Sequence, residues 1–517
     1  MRTVKDGCSP QGQCGCCTVW VDGAPRVACV TPVRRVAGRQ VTTLEGVDPA
    51  VRERWVQAFV DCGASQCGFC TPGIVMRLAG MEGRSGPAGV DEAAVGRALA
   101  AHLCRCTGWR TILDAARAAR AAGAATSGAA QAGSEQRNWA AAAERAALEG
   151  ANAQCVGPDV VLGRGGFADD TAPADSLVAV TGAHGDWVVA ETLALARSAS
   201  GRVPGRNSTR SLRHPLGLPH GEFVLRLRTT FVEPAYLEPD ASWCAAGGVP
   251  ASPLANGGAF GGKRSSALPD AARRLADEHG RPVRVLYSRE DVVRRGPKRP
   301  PVAAGVRADG SAVIRVARTP GSADLGAWRK AVSSVSELFE VEEVAVPGPP
   351  VSPDIRAAGW AEAAVLRAVW EVLPDLTDAG ASSAGAGSAC PVTVRSPEGA
   401  AATVQLAADG SVSVEVAAGA VLDDVVLRSY VVGAVHQGLG WVRSEGLAVD
   451  DDGEVLDLTI RSLGVLPARQ MPEVHVVTAD DSGPARRVGD AVLAATAAAA
   501  WLAGGLAPDW PLERGGQ

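Results

Sequence analysis

The chain has no apolar run long enough to cross a bilayer, and its start, MRTVKDGCSP, lacks the apolar core of a secretion signal. These absences exclude a spanning helix and point to a cytoplasmic protein. Positive charge is not in excess either. Lys and Arg number 51 against 56 Asp and Glu, for a net charge of −5. That balance excludes a nucleic-acid-binding face and a polybasic membrane anchor. Arg far outnumbers Lys and Ala is abundant, a bias of coding rather than of chemistry. Hydrophobic residues make up 46% and charged residues 21% of 517, which is ordinary for a globular chain with real cores. By length it holds about two to four domains. Cysteine is plentiful: 13 thiols in a chain without a secretion signal favour metal binding over disulfides.

Eight of the cysteines fall into two sets. Cys8, Cys14, Cys17 and Cys29 read C-x5-C-x2-C followed by a lone cysteine; Cys67, Cys70, Cys104 and Cys106 read C-x2-C and then C-x-C. Two groups of four soft donors describe two tetrathiolate sites, which we read as two [2Fe-2S] clusters.

Around the first set, Thr18 to Asp22 has strand composition, Asp22-Gly23 is a hairpin turn signal, and Arg26 to Thr31 is predicted to be the returning strand. Three cysteines thus share one loop and Cys29 arrives from the facing strand. Gly12 and Gly15 let that loop curl so that its N–H groups can donate to sulfur. Plant-type ferredoxins use C-x4-C-x2-C; this loop has one more residue in the first gap, and Cys16 is a thiol beyond the four. A zinc ribbon is the alternative, disfavoured because zinc sites usually pair two C-x2-C knuckles.

Around the second set the pattern turns helical. Val51 to Phe59, Ile74 to Met81, Asp91 to Leu103 and a last segment through Ala122 are predicted helices, with the cysteines in the turns between them. Two such helix pairs bring four thiolates together at one end of a bundle. The run QCGFCTPG with a downstream LCRCTG, after a plant-type loop, resembles the two-cluster domain of molybdenum hydroxylases, the xanthine dehydrogenase/aldehyde oxidase family. The resemblance covers the first 120 residues or so. It implies that Gln66 and Cys106 also touch a pterin cofactor. His102 and Trp109 stand where the family usually has Asn and Tyr. Only seven residues precede Cys8, so the ferredoxin-like sheet is expected to be N-terminally short.

Residues 123–150 are rich in Ala, Gly and Ser and are read as a linker, spanning 123–155, with some helical content. Later segments extend the resemblance. DWVVAETLALARSA (186–199) reads as a strand feeding a helix, and FVEPAYLEPD carries Tyr236, Leu237 and Glu238. GGAFGGK (Gly257 to Lys263) is close to the family's GGGFGGK loop, which makes Gly258, Ala259, Phe260 and Gly261 cofactor-binding candidates. Small residues there let backbone N–H groups approach a phosphate or a metal-bound oxygen. GRPVRVLYSRED (280–291) matches the next strand and turn, VVGAVHQGLGWVRSE (431–445) the helix whose Gln437 and Gly438 would lie against the pterin, and LGVLPARQMPEV (463–474) a turn near the substrate channel. His436 is read as structural, and Arg356 as the counterpart of an active-site arginine.

Departures bear on function. Arg264 follows the glycine loop where a purine-holding glutamate is usual, which counts against a purine substrate. The family's catalytic glutamate has Asp490 as its match, one methylene shorter. A second Gly-Gln-Gly pterin motif is not found, and no FAD-type fingerprint lies between the two halves.

The expected architecture is therefore a multidomain α+β chain. It comprises a partial β-grasp ferredoxin-like domain (1–47), a four-helix-type cluster-binding bundle (48–122), the linker, and an abbreviated α/β molybdopterin-binding region (156–517). The resemblance implies an oxidoreductase that hydroxylates an aldehyde or N-heterocycle with oxygen from water. Its electrons would pass through both clusters to a separate FAD-binding subunit or other acceptor. The competing reading is an iron–sulfur electron carrier with a degenerate molybdopterin domain, and a zinc-binding structural protein is a third.

Overall fold

The computed structural model describes residues 3–85, 91–124, 137–201, 211–254, 256–378 and 390–513. Strands Thr18–Val21 and Ala24–Val27 form an antiparallel hairpin turning at Asp22-Gly23. Both turn residues have positive φ (48° and 74°), the geometry that matches the twist of paired strands. The short strand Val41–Thr42 pairs on the other side of Thr18–Val21 to complete a three-stranded sheet. The returning strand stops at Val27 rather than Thr31, and Ala28–Val30 is a 3-10 turn. The Ala28 and Cys29 amides donate to the carbonyl oxygen (3.2 Å) and sulfur (3.4 Å) of Cys17, which ends the ladder and folds Cys29 onto the first loop.

Four helices follow: Pro49–Asp61, Thr71–Ser85, Glu92–Ala98 and Arg110–Ala124. Asp48 and Asp91 cap the first and third by accepting backbone N–H bonds, and Pro49 occupies the first turn where no donor is needed. The predicted helix 91–103 ends early, at Ala98, with a 3-10 turn at Leu99–Ala101. The Leu103 amide donates to the Cys14 carbonyl oxygen at 3.1 Å, drawing the chain out of the helix and onto the first cysteine loop.

Of the expected linker, residues 123–124 close the fourth helix, residues 125–136 lie outside the described residues, and Trp139–Gly150 is a helix with Arg145 and Glu149 buried. Beyond it, among the described residues, come three four-stranded mixed sheets. One sets Trp187–Ala190, Leu177–Thr181, Val283–Leu286 and Ala241–Cys244 side by side. The second holds Phe339–Ala345, Ala312–Arg318, Val302–Val306 and Leu225–Arg228, and the third Val392–Arg395, Ala401–Leu406, Val412–Ala417 and Val474–Thr478. The predicted strand and helix in 186–199 form as Trp187–Ala190 and Leu193–Ala199.

Helices Asp424–Arg443 and Gly489–Ala503 pack together in the centre and are buried over most of their length. Close approach explains their many small residues. A Cβ on Gly438 would lie 2.8 Å from the Leu493 carbonyl oxygen. Among the described residues, no helix is long and apolar enough to cross a membrane.

Candidate functional site

The first loop gathers its cysteines by backbone bonding. The Gln11 and Gln13 amides donate to Cys8 Sγ at 3.3 and 3.5 Å. The Cys8 thiol touches those of Cys14 and Cys29, and the Cys17 thiol touches that of Cys29. These contacts hold Cys8 and Cys17 below the usual thiol range and push Cys29 above it, while Cys14 is pushed up first by its contact with Cys16 and then by that with Cys8. Gly15, at φ 71°, meets the buried His102 ring, which would lie 2.3 Å from any Cβ there. His102 Nε2 is 3.1 Å from Thr18 Oγ1, and burial lowers its pKa to about 3. The residue that departs from the family's Asn is thus a neutral wedge between the two cysteine loops.

The second set forms two facing pairs. Cys106 Sγ lies 3.6 Å from Cys67 Sγ, and Cys104 contacts Cys70 as well as Thr107 Oγ1 at 3.1 Å. The contact with Cys70 helps lower the Cys104 thiol to about 6. Among the described residues, no three or more His, Cys, Asp or Glu side chains are grouped to hold one metal ion. Facing pairs suit a cluster with two irons, each taking two thiolates. Between Cys104 and Cys106, Arg105 is buried and bonded bidentately to buried Glu445, with Nη2 to Oε2 at 2.7 Å.

Two cavities meet at this set. Cys67, Cys70 and Cys106 line one of about 450 Å³, with Phe167, Tyr236 and Phe260. The other, of about 940 Å³, is lined by Gln66, Cys106, Gly258, Phe260, Gly261 and Arg356, with Glu149 and Arg487 also on its wall. Cys106 and Phe260 border both. Gln66 Nε2 donates to the Cys106 carbonyl oxygen (3.0 Å) and to that of Ser429 (3.1 Å), tying the cysteine loop to helix Asp424–Arg443.

The glycine loop sits between the cavities in left-handed conformations, Ala259 and Phe260 included (φ 52° and 54°). The space its missing side chains leave is taken by protein. A Cβ on Gly257 would lie 2.7 Å from Cys67 Cβ, one on Gly258 2.7 Å from the Gly150 carbonyl oxygen, and one on Gly261 1.8 Å from that of Asp354. On the Cβ side these glycines pack against the protein's own backbone and Cys67, while Gly257, Gly258 and Gly261 also line the larger cavity. Lys263 at the loop's end is buried and paired with Glu238 at 2.7 Å, over the Tyr236 ring.

Asp490 lies in the first turn of helix Gly489–Ala503. Its Oδ1 accepts from Arg356 Nε at 3.2 Å and Arg487 Nη2 at 3.1 Å. Arg356 also donates to Gln437 Oε1 at 2.9 Å. Gln437 thus meets the second cavity through Arg356, while Gly438 packs on Leu493 and Thr496. His436 is buried, 2.9 Å from the Leu466 carbonyl oxygen, and burial lowers its pKa to about 4. Sequence reasoning missed Glu149 and Arg487. Glu149 accepts from the Val488 and Gly489 amides at 3.1 and 3.0 Å, and burial raises its carboxyl. Nothing local in the Ala-rich helix Trp139–Gly150 marked it.

Residues 43–117 match the family described as the [2Fe-2S] binding domain. The chain is 40% identical over 117 residues to the xanthine dehydrogenase iron-sulfur-binding subunit of Escherichia coli O157:H7, covering 22% of this chain and 72% of that one. It is 36% identical over 118 residues to the nicotinate dehydrogenase small FeS subunit of Eubacterium barkeri, covering 23% of this chain and 73% of that one. With the aldehyde oxidoreductase of Megalodesulfovibrio gigas the identity is 40% over 114 residues, 22% of this chain but only 12% of that one. In structure, the aldehyde oxidoreductase from Desulfovibrio gigas superposes with a TM-score of 0.66 at 15% identity, covering 99% of this chain and 95% of that chain. That likeness is one of fold and extends over the whole chain. The cysteine spacing, the matched cluster-binding domain and these relatives place the chain in the molybdenum hydroxylase family, the xanthine dehydrogenase/aldehyde oxidase type.

Proposed function

We propose that the chain is a molybdenum-dependent hydroxylase acting on an aldehyde or an N-heterocycle, with water as the oxygen source. The observation that carries this is the position of Cys106, which borders both the thiol-lined cavity and the larger cavity beside the glycine loop. In this reading Cys67, Cys70, Cys104 and Cys106 hold one [2Fe-2S] cluster and Cys8, Cys14, Cys17 and Cys29 the other. Gln66, Cys106, Gly258, Ala259, Phe260, Gly261, Gln437 and Gly438 form or brace the pterin site.

The larger cavity has a polar wall that suits a pterin cofactor, with Gln66, Glu149, Arg356 and Arg487 on it. A bound molybdenum cofactor would supply oxygen transfer and two-electron oxidation, chemistry that no side chain here provides. The chain's own residues orient the substrate, and Asp490 is the group that would take up a proton from the water-derived oxygen that attacks the substrate carbon. Arg356 and Arg487 hold that carboxylate in place. Electrons leave toward the first loop and reach a separate acceptor, for which a flavoprotein subunit fits best. Two of the relatives are themselves named as subunits.

One observation favours the iron–sulfur carrier instead: Asp490 is bonded to two guanidinium groups rather than standing open in the cavity. Metal analysis and absorption spectra of anaerobically purified protein decide between them. The hydroxylase is expected to carry about four iron and about one molybdenum per chain. Iron without molybdenum supports the carrier, and zinc without visible absorption overturns both.

A further inference from the structure

The first cysteine loop is gripped by a residue 282 positions along the chain. Arg289 is fully buried, at 0% exposure. Its Nε and Nη2 donate to the Gly7 carbonyl oxygen at 3.1 and 2.9 Å, and Nη2 also donates to that of Leu237 at 2.8 Å. Gly7 directly precedes Cys8, and a Cβ on it would lie 3.1 Å from Cys14 Sγ. A single glycine thus links the guanidinium to two thiols of the first set. The next residue, Glu290, accepts from the side chain of Gln11, whose backbone amide donates to Cys8 Sγ at 3.3 Å.

Among the described residues, no carboxylate is paired with that cation. Its three hydrogen bonds all go to neutral carbonyl oxygens, and Nη1 is buried with no partner. The neighbouring carboxylates are bonded elsewhere. Glu233 pairs with Lys298 at 2.8 Å, Glu238 with Lys263 at 2.7 Å, and Asp6 with Arg197 at 2.6 Å. Asp240 accepts from the hydroxyls of Tyr236 and Ser266, at 2.7 and 2.6 Å. A buried charge is costly unless it is paired, and a guanidinium does not shed its proton to escape that cost. A tetrathiolate [2Fe-2S] cluster supplies the missing charge. It is anionic when oxidised and becomes more so with the electron it takes up.

We infer that Arg289 is the buried counter-ion of the 8/14/17/29 cluster, a positioning residue supplied by the body that raises this cluster's reduction potential. The inference rests on the reading that the first cysteine set holds a cluster, and it does not depend on molybdenum. On reduction one electron turns a ferric iron ferrous, and the added negative charge lies beside the guanidinium. The fixed cation therefore stabilises the reduced cluster more than the oxidised one. Its hydrogen bonds to the Gly7 and Leu237 carbonyl oxygens hold it at that distance.

The test is a redox titration of the full chain with dithionite under anaerobic conditions, each cluster being followed by its paramagnetic signal. The signal lost in Cys67→Ser marks the second set. Arg289→Gln keeps an N–H donor for the carbonyl oxygens and removes the charge. It should shift the reduction equilibrium of the first cluster about tenfold toward the oxidised form, ~59 mV for one electron, with the second unchanged. Arg289→Lys keeps the charge and should titrate as wild type. If Arg289→Gln assembles no first cluster, Arg289→Lys decides: a wild-type midpoint upholds the role of the charge and a lowered one overturns it. Wild-type midpoints in Arg289→Gln, or equal shifts in Gln and Lys variants, overturn this inference alone. Wild-type protein that carries no cluster absorbance overturns it together with the cluster assignment.

Discussion

A Cβ placed on Gly433 would lie 1.9 Å from the carbonyl oxygen of Cys106. Helix Asp424–Arg443 therefore rests directly on the last cysteine loop, with no side chain between them. One on Gly108 would similarly meet the Val432 carbonyl oxygen at 2.4 Å. The Gln66 amide bridges the two surfaces by bonding both Cys106 and Ser429. The cysteine bundle and the body thus share an interface at the second cysteine set.

Gly433→Ala must push the loop and helix apart, and overpacking of this kind costs about 1–3 kcal/mol. We expect a lower Tm and a changed paramagnetic signal from the 67/70/104/106 cluster, with the other signal unaltered. Thermal unfolding and low-temperature paramagnetic resonance on one preparation check both.

Cys67→Ser should abolish one of two distinct paramagnetic signals and leave the other. Cys67 and Cys106 form one facing pair, while the first set closes on its own four thiols. Loss of both signals in a folded protein would count against independent clusters.

Glu445→Ala leaves the Arg105 guanidinium buried without its carboxylate, which typically costs about 3–5 kcal/mol. The pair replaced together by Arg105→Met and Glu445→Leu should recover much of that loss. Urea unfolding of wild type, single and double variants measures it; a single variant as stable as wild type would show that the pair is dispensable.

Asp490→Asn removes the carboxylate shared by Arg356 and Arg487. If Asp490 is the base, turnover of an aldehyde substrate should fall by about a hundredfold or more, with iron and molybdenum content unchanged. Unchanged turnover would transfer the role to the wall of the larger cavity, where Glu149 is a buried carboxylate.

Stability should fall with acid through His436. Burial, aided by the nearby positive charge of Arg105, lowers its pKa from 6.5 to about 4. The unfolded chain therefore binds a proton that the folded chain refuses, and stability rises with pH across about 4 to 6.5. His436→Gln should flatten this dependence by on the order of 2–3 kcal/mol between those limits. Urea midpoints of wild type and variant at several pH values test it.

The two cysteine sets and the Asp22-Gly23 turn were legible in the sequence because each depends on neighbours a few residues apart. Spacing alone placed Cys67, Cys70, Cys104 and Cys106 in turns of one bundle. What escaped were features whose cause lies far along the chain. The returning strand ends at Val27 because Cys17 takes the next amides, and the third helix ends early because Leu103 bonds to Cys14. The glycine loop carried its family pattern openly, yet only the folded chain shows Cys67, Gly150 and Asp354 filling the space beside it.

Composition, cysteine spacing and local turn chemistry by themselves determined that this is a metal-binding α+β protein with two thiolate sets. The tertiary structure alone decided that Asp490 meets Arg356 across 134 residues, and that Cys106 borders two cavities. Spacing along a chain specifies which donors are available. Distances across a core, set by helix packing and buried ion pairs, decide which of them face one another.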